Sequence, residues 1–553
     1  MKRNYLFGLA TTLGFAALWT ITPALARQNI VVGDLSIRYD YQDRTYDREG
    51  GLTVIPVAPG EDAVVDETSH TTPQPAAIIL DDREGDRRNL IVSPRLTFTS
   101  NGINDLFELT YAPGVNYDDI DGTTDLDHTF GLRLEKNIKH NWLITLNDSF
   151  FMGDDPVRQE EEQASLTEAN TQSEESTVGS PAEQTGQGLT EVYGRRRYWT
   201  NTLEVGTQYG YGQDRTVDVT YSYDVLRNDT DVGGGYSEYD RHTGDLLLTH
   251  RFNAKWSAEG ELNYSRGIFG DSEVYEVSPE QMAQDQVDNS DAAASSVDGA
   301  ENTPVLTPVP LRYSQDLDEY DLRLRGGYNY SPHLQTFTEY TYLATDYASP
   351  LQNNYSVHNV AFGFDYDVSQ HWHITLSGGP SWGSFDNSAT ETDYNAHGGL
   401  IWDFLHGSAT VFVDKSYDQS NFDGRRSGLT DTWETGISAD YQLTESLTAT
   451  ISANYTNNRR LEYPVPETVV VVGDIEDTIS EETSQEQFGR ILYREKDYDA
   501  GFTLNYSFWR WYTISSGYRY YKHDSDLSEN GADSYHEHRA FVVLTYSKEL
   551  FRW

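Results

Sequence analysis

The sequence predicts an all-β chain closed into a single transmembrane, antiparallel up-and-down β-barrel of about 18–20 strands, and three observations carry that prediction. The first is a unit that recurs seven times: an alternating apolar–polar run of about ten residues, a tight turn, and a second alternating run. In its clearest copy Leu447, Ala449, Ile451, Ala453 and Tyr455 share one face, and Thr448, Thr450, Ser452, Asn454 and Thr456 the other. The pattern persists to the last residue with no helical partner, as lipid outside and water inside require. The second is composition. Hydrophobic residues make up 37% and mean hydropathy is −0.64, which excludes a helical transmembrane bundle, yet there are 39 Tyr and 11 Trp. Side chains with an apolar body and a polar tip concentrate where a barrel crosses the two membrane interfaces. The third is the alternation of short with long connections, which orients such a barrel.

The chain opens on Lys2 and Arg3, an apolar run from Leu6 to Ile21, and Ala24-Leu25-Ala26. Together these predict a secretory signal peptide over 1–26, cleaved to leave Arg27 first. The run is too short, and too interrupted by Gly8, Gly14 and Pro23, to predict an anchoring helix. There is no cysteine, which excludes disulfides, thiolate metal sites and cysteine nucleophiles. Stability must then come from closing the hydrogen-bonded ladder. A barrel of many strands uses 553 residues as one domain.

Taken in order, residues 27–89 form an N-terminal segment with a candidate first strand at 35–46, and 90–553 the barrel. A downward strand is predicted at 90–99 and an upward one at 105–117. Strand pairs follow near 128–151, 196–225, 240–266, 317–344, 357–382, 392–417, 432–456 and 497–521, and a last strand from 536 to the end. The total is 20 if the first candidate joins the ladder. Eighteen is the alternative, because Pro94 suits an edge or a bulge. Short turns fall at 137–141, 253–256, 331–334, 369–372 and 443–446, with Trp142, Trp256, Trp372 and Trp511 just after short turns as a periplasmic girdle. Long connections at 152–195, 226–240, 267–315, 345–356, 383–391, 418–431, 458–496 and 522–535 are predicted to be extracellular. The chain ends Leu550-Phe551-Arg552-Trp553, and the aromatic Phe551 and Trp553 suit an assembly signal read by the barrel-assembly machinery. Ala540, Val542, Leu544 and Tyr546 have the opposite parity to Trp553, which predicts a bulge between them.

Residues 90–156 carry a resemblance. The stretch Leu90-Ile91-Val92-Ser93-Pro94-Arg95-Leu96, then Leu109-Thr110-Tyr111-Ala112-Pro113-Gly114-Val115-Asn116-Tyr117, Asp127-His128, Asn147-Asp148-Ser149-Phe150 and Asp154-Asp155-Pro156 resembles the β-barrel porin 2 family. The resemblance implies a bacterial outer-membrane barrel, some relatives of which are associated with exopolysaccharide export. It implies no functional residues.

Alternation directs Arg95, Arg133, Arg323, Arg325 and Arg519 to the lumen, with Glu135, Asp218, Glu259, Glu261, Glu339 and Asp414. A lumen of mixed sign among Thr, Ser and Asn suits neutral or weakly charged hydrophilic solutes. The plainer reading is that these charges pair across strands and stiffen the wall. Formal net charge is −48, and the excess is local: 152–194 holds ten Asp or Glu against Arg158 alone, and 267–311 holds nine with no Lys or Arg. Such acidic loops exclude nucleic acid as a partner. Asp154, Asp155, Glu160, Glu161 and Glu162 are weak Ca²⁺ candidates, against the simpler reading of a solvated loop. Val469-Val470-Val471-Val472 suggests a wall extension or plug. His371 with His373, and His536-Glu537-His538, could each offer two metal ligands but no identifiable third. No Gly-x-Ser-x-Gly, His-Glu-x-x-His or phosphate loop is present, and no motif implies a cofactor.

These observations point to an outer-membrane, porin-like channel that is not an enzyme, passing hydrophilic solutes or exporting a surface polysaccharide. Its expected partners are outer-membrane lipid, lipopolysaccharide, the barrel-assembly machinery and polysaccharide-export components. A plugged structural or adhesive barrel acting through its loops is the alternative, and an outer-membrane hydrolase ranks third.

Overall fold

The computed structural model describes residues 27–46, 85–120, 122–153, 197–228, 238–269, 272–276, 309–313, 316–349, 353–386, 390–419, 429–461, 491–526 and 534–553. Among them are 22 strands and no helix. In chain order these are β1 (Gln28–Tyr46), β2 (Gly85–Asn101), β3 (Asp105–Asp118), β4 (Thr124–Lys139), β5 (Trp142–Gly153), β6 (Tyr198–Gly212), β7 (Arg215–Asn228) and β8 (Tyr239–Arg251). Then come β9 (Trp256–Phe269), β10 (Ser272–Glu276), β11 (Val309–Tyr313), β12 (Leu317–Ser331), β13 (Leu334–Tyr347), β14 (Tyr355–Ser369) and β15 (Trp372–Phe385). The rest are β16 (Glu391–Phe404), β17 (Gly407–Gln419), β18 (Leu429–Thr444), β19 (Leu447–Leu461), β20 (Ile491–Phe508), β21 (Tyr512–Ser525) and β22 (Tyr535–Arg552).

Twenty of these form one sheet in which each strand pairs antiparallel with the next, and β1 pairs with both β2 and β22. That last pairing closes the barrel. The first strand therefore belongs to the wall, and it starts at Gln28 rather than 35. Its opening residues Ile30, Val31, Val32 and Gly33 are apolar or bare on both faces, so alternation cannot reveal them. Pro94 is no edge residue either. It opposes Pro113, and the β2–β3 ladder breaks there between Val92↔Val115 and Leu96↔Tyr111, because neither proline has an N–H to give. β10 and β11 form a separate two-stranded ribbon inside the 267–315 connection, which the sequence reading treats as loop throughout.

The start of β1 and the end of β22 lie at the short-turn end, where Asn29 and Trp553 exchange backbone hydrogen bonds of 2.9 and 3.0 Å. At the opposite, loop end the β3–β4 link is itself only 119–123, a departure from strict short–long alternation. Gly122 takes φ +66° there, a conformation that disfavours any residue with a Cβ. The bulge in β22 falls at Leu550: Val32 pairs with Glu549 and Val31 with Phe551. Leu550 lies over Gly33, and Phe551 and Trp553 then point outward, 64% and 63% exposed.

Register defines the outer face. Leu35, Ile37, Leu96, Val219, Leu246, Leu324, Phe362, Leu376 and Ile451 all lie on it and are exposed, an apolar band of the kind a bilayer requires. Trp142, Trp256, Trp372 and Trp402 mark its turn-end border. Near the loop end the border is Tyr with His in one repeated arrangement. Tyr111, Tyr221, Tyr340 and Tyr518 each bond Nδ1 of a histidine on the next strand, His128, His242, His358 and His538, at 3.0, 2.8, 2.9 and 2.7 Å. In every case the histidine sits two residues to the loop side of the tyrosine's direct cross-strand partner.

The wall is irregular again at the β16–β17 seam. The β16–β17 ladder runs from Phe404↔Gly407 only to Ala396↔Lys415. Beyond it, the face of β17–β18 that carries the exposed Val411, Val413 and Ile437 lower down lies against the inner face of the neighbouring wall. Tyr417 and Leu429 pack with Tyr355 and Val357. Gln419 accepts from Thr345 Oγ1 at 2.8 Å and from the Tyr355 hydroxyl at 3.4 Å. Lys415 is held between the layers by Asp393 and by Asp431 at 3.0 Å, and donates to the Tyr394 carbonyl on the free edge of β16 at 3.3 Å.

Candidate functional site: the barrel lumen

Residues directly opposite across a ladder share a face, so the registers locate every inward side chain. Arg323 is the centre of the largest charged group. It lies opposite Glu261 on β9, and its guanidinium reaches Glu259 at 3.3 Å, Glu261 at 3.4 Å and Glu339 at 3.0 Å. Arg325, opposite Glu259 and Glu339, bonds Asp365 at 2.9 Å and lies over the Phe337 ring at 3.7 Å. Thus Glu259, Glu261, Arg323, Arg325 and Glu339 come together, and Asp365 joins them.

The other inward residues sit in separate groups on the same wall. Arg133 pairs with Glu135 two residues along its own strand. Arg519 holds Asp499 by two bonds of 2.8 Å. Asp414 bonds His397 Nδ1 at 3.1 Å and lies opposite Glu434. Arg95 stands opposite Asp34, and Asp218 opposite Leu247, an apolar neighbour that alternation alone does not anticipate. Asp245, Asp321, Asp365, Asp499 and Glu434 stand outside the set named from the sequence. Their registers put all five on the inner face, so carboxylates outnumber guanidiniums there. The signal was present: Asp321 lies two residues from Arg323, with the same parity.

Exposure divides the lumen by depth. The paired charges of the belt keep 20–39% of their side-chain surface open. Toward the loop end the inner wall is packed. Phe151, Tyr198 and Leu226 form one buried cluster, Tyr355, Val357, Tyr417 and Leu429 a second, and Tyr521 with Tyr535 a third. Beside the third, Glu537 accepts from Arg44 at 2.6 Å and from Gln42 at 2.9 Å, and His523 bonds Asp497 at 2.6 Å. A wall residue such as Tyr198 or His523, with no exposed surface, lines no open water path. Burial at this end is partial, since Arg241, on the inner face there, keeps 24% of its side-chain surface open.

The histidines flagged in the sequence are placed as follows. His373 faces inward and bonds Asp367 at 2.8 Å and Thr375 at 3.2 Å. His536 and His538 meet edge to face on the outer wall, 5.8 Å between ring centroids. Among the described residues no three His, Cys, Asp or Glu side chains gather as a metal site. Asp154, Asp155, Glu160, Glu161, Glu162, Val469 to Val472 and the segment 1–26 lie outside the described residues.

No family model matches the chain, and no curated protein matches it. Solved structures do. The FrpB iron transporter from Neisseria meningitidis (F5-1 variant) is similar at 10% identity and TM-score 0.46, over 93% of this chain and 82% of that one. The siderophore receptor PirA from Pseudomonas aeruginosa is similar at 8% and 0.42, over 94% and 80%. OpdQ from the same organism is similar at 9% and 0.36, over 95% and 98%.

Proposed function

We propose that the protein is an outer-membrane channel, not an enzyme, and that it passes small hydrophilic solutes with a preference for cationic or neutral ones. The observation that carries this reading is the water-accessible belt in which Arg323 is shared by Glu259, Glu261 and Glu339 and further carboxylates stand unmatched by guanidiniums. Acidic rings of this kind favour cations in transit and repel anions. The excess moves the reading away from a sign-balanced lumen. A polymeric saccharide exported from the cell is the finer version, and it would require export components at the periplasmic mouth.

The test is reversal potential in a planar bilayer under a KCl gradient. Cation selectivity is expected, and Glu259→Gln with Glu261→Gln should bring the potential toward zero. The packed clusters near the loop end favour a second reading, a plugged barrel that acts through its loops. Absence of any conductance from folded protein would decide for it.

A further inference from the structure

We infer that the outer wall at β19–β22 carries a specific site for an acylated, phosphate-bearing lipid of the surrounding leaflet, in which four cations receive the phosphate and a notch between aromatic side chains receives an acyl chain. In a chain of net charge −48, cations grouped on one face are out of keeping with the whole. Yet Arg459 and Arg494 stand directly opposite each other on β19 and β20, a pairing that like charges oppose in the absence of an anion. Lys496 lies two residues from Arg494 on the same face, and Lys522 lies opposite Tyr498 on β21.

Four cations outnumber the three carboxylates on that face. Asp524, opposite Lys496, is bonded by Lys522 at 2.7 Å, Asp431, opposite Arg459, is held by Lys415 at 3.0 Å, and Asp526 accepts the Arg494 backbone N–H. Lys522 stands level with the Tyr455 and Tyr498 rings, whose centroids are 5.0 Å apart, and Lys496, Arg494 and Arg459 stand on the loop side of them. Tyrosines mark the border of the apolar band, so these cations stand at headgroup height. Phosphate oxygens are the anionic groups a bilayer presents at that level.

The second observation is a cavity of about 420 Å³ in the same wall, lined chiefly by Tyr39, Phe502, Ser516, Tyr518, Ala540 and Val542. Small Ser516 and Ala540 make the floor and the aromatic rings the sides, so its chemistry is that of a hydrocarbon slot. Tyr518 and Lys522 are four residues apart on β21, roughly 13 Å at the rise of a strand. That span matches the distance from a lipid phosphate to its upper acyl chain. The site is independent of whether the lumen conducts.

The test uses the full-length, detergent-solubilised protein and native mass spectrometry. The probes are a diacyl phosphatidic acid and a diacyl phosphatidylcholine. The phosphatidic acid should be retained preferentially, and Lys496→Gln with Lys522→Gln should weaken it about tenfold while the heat-modifiable folded band is kept. Ser516→Trp, which fills the slot without touching a charge, should weaken the same lipid. Inorganic phosphate at millimolar concentration should not displace it. Equal retention of both lipids, or displacement by inorganic phosphate, would overturn the site. So would an unchanged affinity in Ser516→Trp, the variant that still decides the matter if the lysine pair fails to fold.

Discussion

At the scale of the residue, the wall tolerates change according to what a side chain faces. A Cβ on Gly379 would lie 2.0 Å from the Val360 carbonyl oxygen, backbone against backbone, whereas one on Gly244 would meet nothing within 4 Å. Gly379→Ala should therefore lower the yield of folded barrel. Gly244→Ala should leave it unchanged or slightly higher, since a strand glycine contributes no packing. Folded and unfolded bands on unheated gels measure both. Arg323 gives a second contrast. Its three carboxylates are part-exposed, so each pair contributes on the order of 0.2–1 kcal/mol to stability. Arg323→Gln should lower the unfolding temperature by a few degrees only, yet it leaves Glu259, Glu261 and Glu339 uncompensated. The measurable result should be a reversal potential shifted further toward that of a pure cation channel, and a shift toward anions would refute the lumen assignment.

At the scale of the strand, face decides everything, because a slip of one residue exchanges lipid for water. Ile451, opposite Ala439 and Phe502, is outward and 55% exposed, while Ser452, opposite Ser438 and Gly501, is inward. Ile451→Arg should impair assembly, with a cation at mid-membrane costing about 2–4 kcal/mol. Ser452→Arg should assemble normally. The reverse order would mean that the register of β19 is wrong. Strand identity and face were legible in the sequence wherever apolar and polar residues alternate, as in Leu447 to Thr456. They were not legible at Ile30–Gly33, apolar or bare on both faces, nor in the 267–315 connection, where β10 and β11 are too short to show a period.

At the scale of the whole molecule, closure rests on β1, which bonds β2 along one side and β22 along the other. Removing 28–46 would leave two open edges, and loss of the heat-modifiable band is the expected outcome. Replacing 277–308 by Asn-Gly should be harmless by contrast. Glu276 already pairs with Val309, so a two-residue link closes that ribbon as a hairpin, and shortening a connection outside the ladder leaves the wall unchanged. Loss of the folded band there would show that the barrel depends on the connection.

The sequence by itself determined the class of wall, the even strand number, the aromatic borders and the parity break before Trp553. Each of these is a period-two or end-of-strand property, written in residues a few positions apart. Only the tertiary structure decided that Arg323 gathers carboxylates from β9 and β13, that Asp218 stands opposite Leu247, and that Lys415 sits between two layers at the β16–β17 seam. Those outcomes depend on how far each strand slides past its neighbour. The slide is fixed by closing all 20 strands at once, a condition no local stretch of sequence contains.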